Sequence, residues 1–230
     1  MPLSVYLTYC ATELNSHLQS TLIKQLPWPE QTKLRSFARW EDQHTFLFGR
    51  LLIKLGLKYS NEWPSLAELR YSEYGRPYIK CNLDFNVSHS NKLVTCVVGD
   101  GRVGIDVESH KPVVVEDYRS MFSKNEWVDI VNSKNVERAF YELWSRKESI
   151  MKADGRGLSN AFTTLDTSGR SIVFIGNTLF KIRNIEIDHT YTCHIAYSAR
   201  DLENLQINYL GYPNLEPISK EQFILNLHTK

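Results

Sequence analysis

The chain has 230 residues, 42% of them apolar and 23% charged, the profile of a globular protein with room for a sizeable core. Its formal net charge is +1, so bulk charge does not hold it to nucleic acid, and an anionic ligand would need a local cluster of basic side chains. Cys10, Cys81, Cys96 and Cys193 are widely spaced, with no C-x-x-C pair, which excludes a disulfide scaffold and a structural zinc site. No run approaches the roughly 20 apolar residues of a membrane span. The N-terminus lacks the basic start and apolar stretch of a signal peptide, so a cytoplasmic protein is expected.

In chain order, Val5–Tyr9 predicts a strand and Glu30–Leu57 a helical stretch, from the spacing of Leu34, Phe37, Leu47 and Leu51. Tyr74-Gly75-Arg76-Pro77 is a turn. Phe85–Ser88, Leu93–Gly99 and Val103–Glu108 predict strands. Helices are expected over 118–132 and 137–153, and strands return at 171–175, 179–187 and 191–198. Residues 204–230 give no clear signal. The order predicts an α+β fold of two similar lobes, 1–108 and 109–230.

Three segments carry candidate chemistry. On a strand, Asp106 and Glu108 of Gly104–Glu108 point the same way while Ile105 and Val107 enter the core. Paired carboxylates suit a hard cation such as magnesium, although an isolated D-x-E is usually a wet strand face. In the second segment, Trp144, Glu148 and Lys152 form one helical stripe at i, i+4, i+8. An i, i+4 surface ion pair is the ordinary reading of Glu148 and Lys152, but a stripe begun by a tryptophan turns to the core, where charges need partners. Phe85-Asn86-Val87-Ser88-His89-Ser90 is the third, and its hydroxyl and imidazole can donate to phosphate oxygens. Together the segments supply three acids and several bases, as a metal–pyrophosphate requires. The rival readings are another metal-dependent phosphoryl enzyme (a phosphatase or nuclease) and a non-catalytic binding module.

In order and spacing, FNVSHS (85–90), GIDVE (104–108) and WSRKESIMK (144–152) resemble the phosphopantetheinyl transferases, above all the large, surfactin-synthetase-activating (Sfp-like) type. EYGRP (73–77), FSKNE (122–126) and GRGL (155–158) are similar to that family too. The resemblance implies a pseudo-symmetric monomer with coenzyme A in the cleft between two α+β lobes. It implies magnesium (or manganese) on Asp106, Glu108 and Glu148, with Lys152 gripping the pyrophosphate. By the same resemblance Ser88 and His89 contact phosphate beside Asn86, Gly75 and Arg76 lie against the adenine end, and Lys33 meets the 3′-phosphate. Glu148 is then ligand, general base or both, with Glu126 a lesser candidate base. The other partner is an apo acyl or peptidyl carrier protein, docking around Leu158–Leu165 beside Met121 and Phe122. Two departures stand out: Glu30 replaces a second lysine, and Phe46 replaces a hydroxyl residue. Arg35, Arg39 and Arg50 are the basic residues available to compensate.

Overall fold

The computed structural model describes residues 3–58, 65–157, 160–198 and 204–229. β1 (Ser4–Tyr9) opens the chain as a nearly fully buried strand. α1 (Ser16–Ile23) and α2 (Trp28–Arg35) lead to the long α3 (Trp40–Lys58). The stretch expected as one helix thus breaks after Arg35. There the Ser36 hydroxyl takes the Lys33 carbonyl and Gln43 Nε2 takes the Phe37 carbonyl, so side chains replace the helical donors. β2 (Arg70–Tyr71) and β3 (Pro77–Tyr78) form a small hairpin around Gly75, at φ 77°. β4 (Leu83–Ser90), β5 (Leu93–Asp100) and β6 (Val103–Ser109) follow.

The segment expected as a helix over 118–132 is a 3-10 turn, Val115–Met121, and then α4 (Lys124–Val131). A capping box restarts the helix: Ser123 Oγ accepts from Glu126 N, and the Glu126 carboxylate accepts from Ser123 N. α5 (Val136–Asp154) ends at Gly155, whose φ of 82° is the left-handed stop that glycine favours. α6 (Asn160–Thr164), β7 (Ile172–Ile175), β8 (Thr178–Asn184) and β9 (Tyr191–Tyr197) come next. The silent C-terminal stretch forms β10 (Gln206–Gly211), β11 (Glu216–Pro217) and α7 (Lys220–His228).

The strands build a five-stranded sheet ordered β11-β10-β1-β5-β4 and a four-stranded sheet ordered β6-β9-β8-β7. This pairing divides the chain differently from a cut at 108/109. β6 belongs to the second sheet, and β10 returns to lie parallel to β1 in the first. One face of the first sheet (Tyr6, Val94, Cys96) packs on α3 through Leu47, Phe48 and Leu52. Its other face (Val5, Leu7, Val97) packs on Ile105, Val107 and Ile195 of the second sheet. The far side of the second sheet (Phe180, Ile182, Ala196) meets Ile150, Met151 and Ala153 of α5. The layers therefore run helix, sheet, sheet, helix, and each fully buried Leu, Ile or Phe contributes about 1.5–3 kcal/mol. No helix among the described residues is long and apolar enough to cross a membrane.

Candidate active site

The site forms where the two sheets meet edge to edge. β4 and β6 are the edge strands of their sheets, and side chains rather than backbone join them. Alternate residues of β4 reach across: Asp84 Oδ2 accepts from Val103 N, Asn86 Oδ1 from Ile105 N, Ser88 Oγ from Val107 N and Ser90 Oγ from Ser109 N. The period of two that places these four side chains on one side of β4 matches the period of the outward N–H groups of β6. The ladder satisfies donors that an open edge would leave orphaned.

Each serine also serves the acid beside it. Ser88 Oγ donates to Asp106 Oδ1 at 3.1 Å, and Ser90 Oγ donates to Glu108 Oε2 at 3.2 Å. From the other side, α5 brings Lys152 Nζ to 2.6 Å from Asp106 Oδ1 and 2.9 Å from Ser88 Oγ. The helix lies this close because Gly104 has no side chain: a Cβ there would stand 2.1 Å from the Ser149 carbonyl oxygen. Ser145 Oγ, one turn earlier on α5, donates to the Asp106 carbonyl.

Asp106 is 3% exposed, and its second oxygen, Oδ2, is buried with no partner. Burial first, and Asp106 second, lift the Glu108 carboxyl to about 7. Burial also raises Glu148, against the pull of Lys152. For Lys152 burial opposes the charge, but Asp106, Glu148 and Glu108 outweigh it and raise the ammonium above the usual lysine value. His89, on the opposite face of β4 from Ser88, is held below its usual value by desolvation and by Lys152, so near neutral pH its imidazole is uncharged. Of these groups, Glu148 and Lys152 line a cavity of about 230 Å³, together with Tyr74, Gly75, Arg76 and Asn86 among others.

The structure thus gathers Asn86, Glu148, Lys152, Gly75 and Arg76 at one cavity and joins Ser88, Asp106 and Lys152 by hydrogen bonds. The Glu148–Lys152 surface pair is replaced by a contact between α5 and β6. Lys33 is not in the lining of this cavity; its ammonium lies 4.9 Å from the Tyr71 ring centroid and 5.6 Å from that of Phe46. Arg76 spends its guanidinium on protein: it forks onto Asp84 at 2.8 and 2.7 Å and donates to the Val103 and Lys152 carbonyls.

Glu126 does not belong to the site. It is fully buried, ion-paired to Lys147 at 2.8 Å, and accepts from Thr167 N, Thr167 Oγ1 and Ser123 N. A carboxylate with its lone pairs so committed and no route to solvent is structural, not a base. Of the expected docking segment, Leu158 and Ser159 lie outside the described residues. Asp84, Ser90 and Ser145 escape the sequence reading. Asp84 and Ser90 share the alternation that turns Asn86 and Ser88 toward β6, and that period is the signal that finds them.

Among the described residues, no three or more histidines, cysteines, aspartates or glutamates are gathered so as to hold a metal ion, and Asp106, Glu108 and Glu148 do not form such a group here. The chemistry of these oxygens nonetheless suits a hard cation: the orphaned Asp106 Oδ2 and a Glu108 carboxylate disfavoured by burial and by Asp106 both gain from added positive charge.

Residues 102–205 match the family model of the 4'-phosphopantetheinyl transferase superfamily. The 4'-phosphopantetheinyl transferase ffp of Bacillus subtilis is 30% identical over 225 residues, which cover 93% of this chain and 100% of the relative. The chain belongs to the 4'-phosphopantetheinyl transferases and is an enzyme of that transferase family. Within it, the chain sides with the Sfp type. The Sfp protein of B. subtilis strain 168 is 32% identical over 163 residues, 68% of this chain and 72% of the relative. The gsp protein of Aneurinibacillus migulanus is 27% identical over 88% of this chain and 89% of its own length.

Proposed function

We propose that this enzyme moves the 4'-phosphopantetheine arm of coenzyme A to a serine of an apo acyl or peptidyl carrier protein, releasing adenosine 3',5'-bisphosphate. The observation that supports this reading best is Asp106, fixed between Ser88 and Lys152 with one buried oxygen unspent, where Lys152 also lines a cavity with Glu148 and Asn86. In this reading the active site is the cleft between two lobes, and the protein works as a monomer in the cytoplasm.

Asp106, Glu108 and Glu148 would hold magnesium or manganese. When bound, the cation neutralises charge on the pyrophosphate as the phosphoanhydride bond breaks. Lys152, whose ammonium Asp106 aims, donates to the departing phosphate oxygens. The neutral imidazole of His89 and the hydroxyl of Ser88 contact the phosphates, and the Asn86 amide lies beside them. Gly75 and Arg76, at the mouth of the cavity, border the adenine end through the backbone of their turn. Lys33, on the aromatic faces of Tyr71 and Phe46, meets the 3'-phosphate. Glu148 receives the proton of the attacking serine, which the carrier presents at the α6 side near Met121 and Phe122.

The test incubates the protein with coenzyme A, magnesium and apo carrier, then weighs the carrier. A gain equal to the phosphopantetheine arm is expected, and it should vanish with EDTA and in Asp106→Ala. Several acyl and peptidyl carriers left unmodified would overturn the function; an active Asp106→Ala would overturn the metal assignment alone.

A further inference from the structure

We propose that Arg76 and Asp84 form a clamp that positions Lys152 against Asp106, and that Arg76 acts through this clamp rather than by binding coenzyme A with its side chain. The inference rests on the transferase reading for its kinetic consequences but not for its structural ones.

Arg76 ties together three separate elements, β4, β6 and the distant α5. Its two terminal nitrogens fork onto the Asp84 carboxylate of β4. One of them, Nη2, also donates to the Val103 carbonyl at 2.8 Å, at the start of β6, and to the Phe85 carbonyl at 3.3 Å. Nε donates to the Lys152 carbonyl at 3.0 Å, in the last turn of α5. Helix C-termini leave carbonyls without intrahelical donors, and a cation there is favourable. Arg76 therefore caps the helical turn that carries the reactive lysine.

The other half of the clamp holds the strand. Asp84 Oδ2 accepts from Val103 N as well as from Arg76, so β6 is gripped at both backbone atoms of Val103, three residues before Asp106. The space is tight: a Cβ on Gly155, just past Lys152, would come within 3.1 Å of Arg76 Cδ. With α5 also pressed on Gly104, the separation of β6 and α5 beside the Lys152–Asp106 pair is set by contacts at the neighbouring residues Val103 and Gly104. The fork is what the geometry uses. A lysine ammonium is a point charge that cannot span Asp84 and two carbonyls on different elements at once. Asp84 is absent from the lining of the site cavity, so any effect of changing it reaches the chemistry through position.

The test compares wild type with Arg76→Lys, Asp84→Asn and the double variant. Steady-state transfer is measured with coenzyme A varied, binding of coenzyme A by calorimetry, and amide hydrogen exchange along α5. Either single change is expected to lower kcat about tenfold or more, as sub-ångström misplacement of a catalytic group does. The Kd for coenzyme A should stay within about twofold, and the double variant should be no worse than the single ones, because both break one unit. Exchange in the last turn of α5 should quicken about tenfold in each variant while α3 is unchanged. That readout needs no activity, so it tests the clamp even if wild type modifies no carrier. Unchanged protection in the last turn of α5 would overturn the proposal. So would an Arg76→Lys enzyme with normal kcat and weakened coenzyme A binding, which would return Arg76 to the ligand.

Discussion

Lys152 Nζ lies 2.6 Å from Asp106 Oδ1, closer than to any acid on its own helix. A sequence with Glu148 and Lys152 four residues apart invites an intrahelical pair, yet the lysine turns from α5 toward β6. Two effects decide this. Asp106 is 4% exposed at its side chain and has the greater need of a counter-charge, and the Ser88 hydroxyl offers the ammonium a second acceptor at 2.9 Å. An exposed i, i+4 pair contributes only about 0.3–0.5 kcal/mol, too little to compete. Lys152→Ala is therefore expected to cut kcat at least about 100-fold. With Lys152 27% exposed, solvent softens the penalty on the stranded Asp106 to about 1–2 kcal/mol. Transfer assays and thermal melts check both halves. A melt lowered by tens of degrees would mean that the pair is mainly structural.

Glu126 and Lys147 make the opposite kind of ion pair, fully buried and outside the lining of the cavity. Glu126→Gln leaves a buried ammonium whose pKa burial already pushes down, with the Leu165 carbonyl, a neutral amide and the Phe122 and Phe162 ring faces for partners but no counter-charge in contact. The expected cost is about 3 kcal/mol, and Glu126→Gln with Lys147→Met should cost less than the sum of the two changes. Below the melting transition the variant should keep its kcat. Loss of transfer from a fully folded Glu126→Gln enzyme would restore this residue as a base.

The strands 85–88 and 103–108 were legible because apolar and polar side chains alternate along them, although both faces are largely buried. α5 was legible as a helix, but the stripe of Trp144, Glu148 and Lys152 is only half-buried, and the face that enters the core carries Phe140, Leu143, Ile150 and Met151. The C-terminal stretch was not legible, since β10 is half-exposed and takes its place from pairing with β1, some 200 residues away in the chain. Nor was the ladder between β4 and β6: no single segment encodes a register of four contacts between two strands. Hence Asn86 and Ser88 looked like ligand groups only, although their oxygens also hold β6 in place. For Glu126 the sequence did hold the answer, as Ser123-x-x-Glu126 is a capping-box pattern.

Glu30 stands where the Sfp-type pattern has lysine, and reversing that difference should not improve the enzyme. Glu30 is 4% exposed; Oε2 lies 2.6 Å from Arg50 Nε and Oε1 accepts from the Tyr71 hydroxyl at 2.8 Å. Arg50 in turn lies 4.5 Å above the Phe46 ring, so the two departures share one packed unit. Glu30→Lys would set two cations together in a buried place, at a cost of about 3–5 kcal/mol. The KM for coenzyme A is expected not to fall. A stable Glu30→Lys enzyme with tighter coenzyme A binding would show that the unit is not needed.

His194 gives the molecule an acid-sensitive element directly opposite Asp106 in the β6–β9 register. It is 2% exposed, its Nδ1 is 3.3 Å from Ser145 Oγ, and burial, reinforced by the Arg146 charge, pushes its imidazole down to about 3. In the unfolded chain the value is about 6.5. Because the folded value is the lower one, the stabilisation is complete above about pH 6.5 and is lost as pH falls toward 3. Between those limits the unfolded state carries one more proton, which steepens the loss by up to about 1.4 kcal/mol per pH unit. His194→Asn keeps a polar group near the Nδ1 position and does not titrate, so it should remove that part of the slope. Urea melts of both proteins from pH 7 to 4 measure it as a difference, in which acids common to the two cancel. Parallel curves would mean that His194 takes its proton inside the fold, and the acid sensitivity would then belong to the carboxylates.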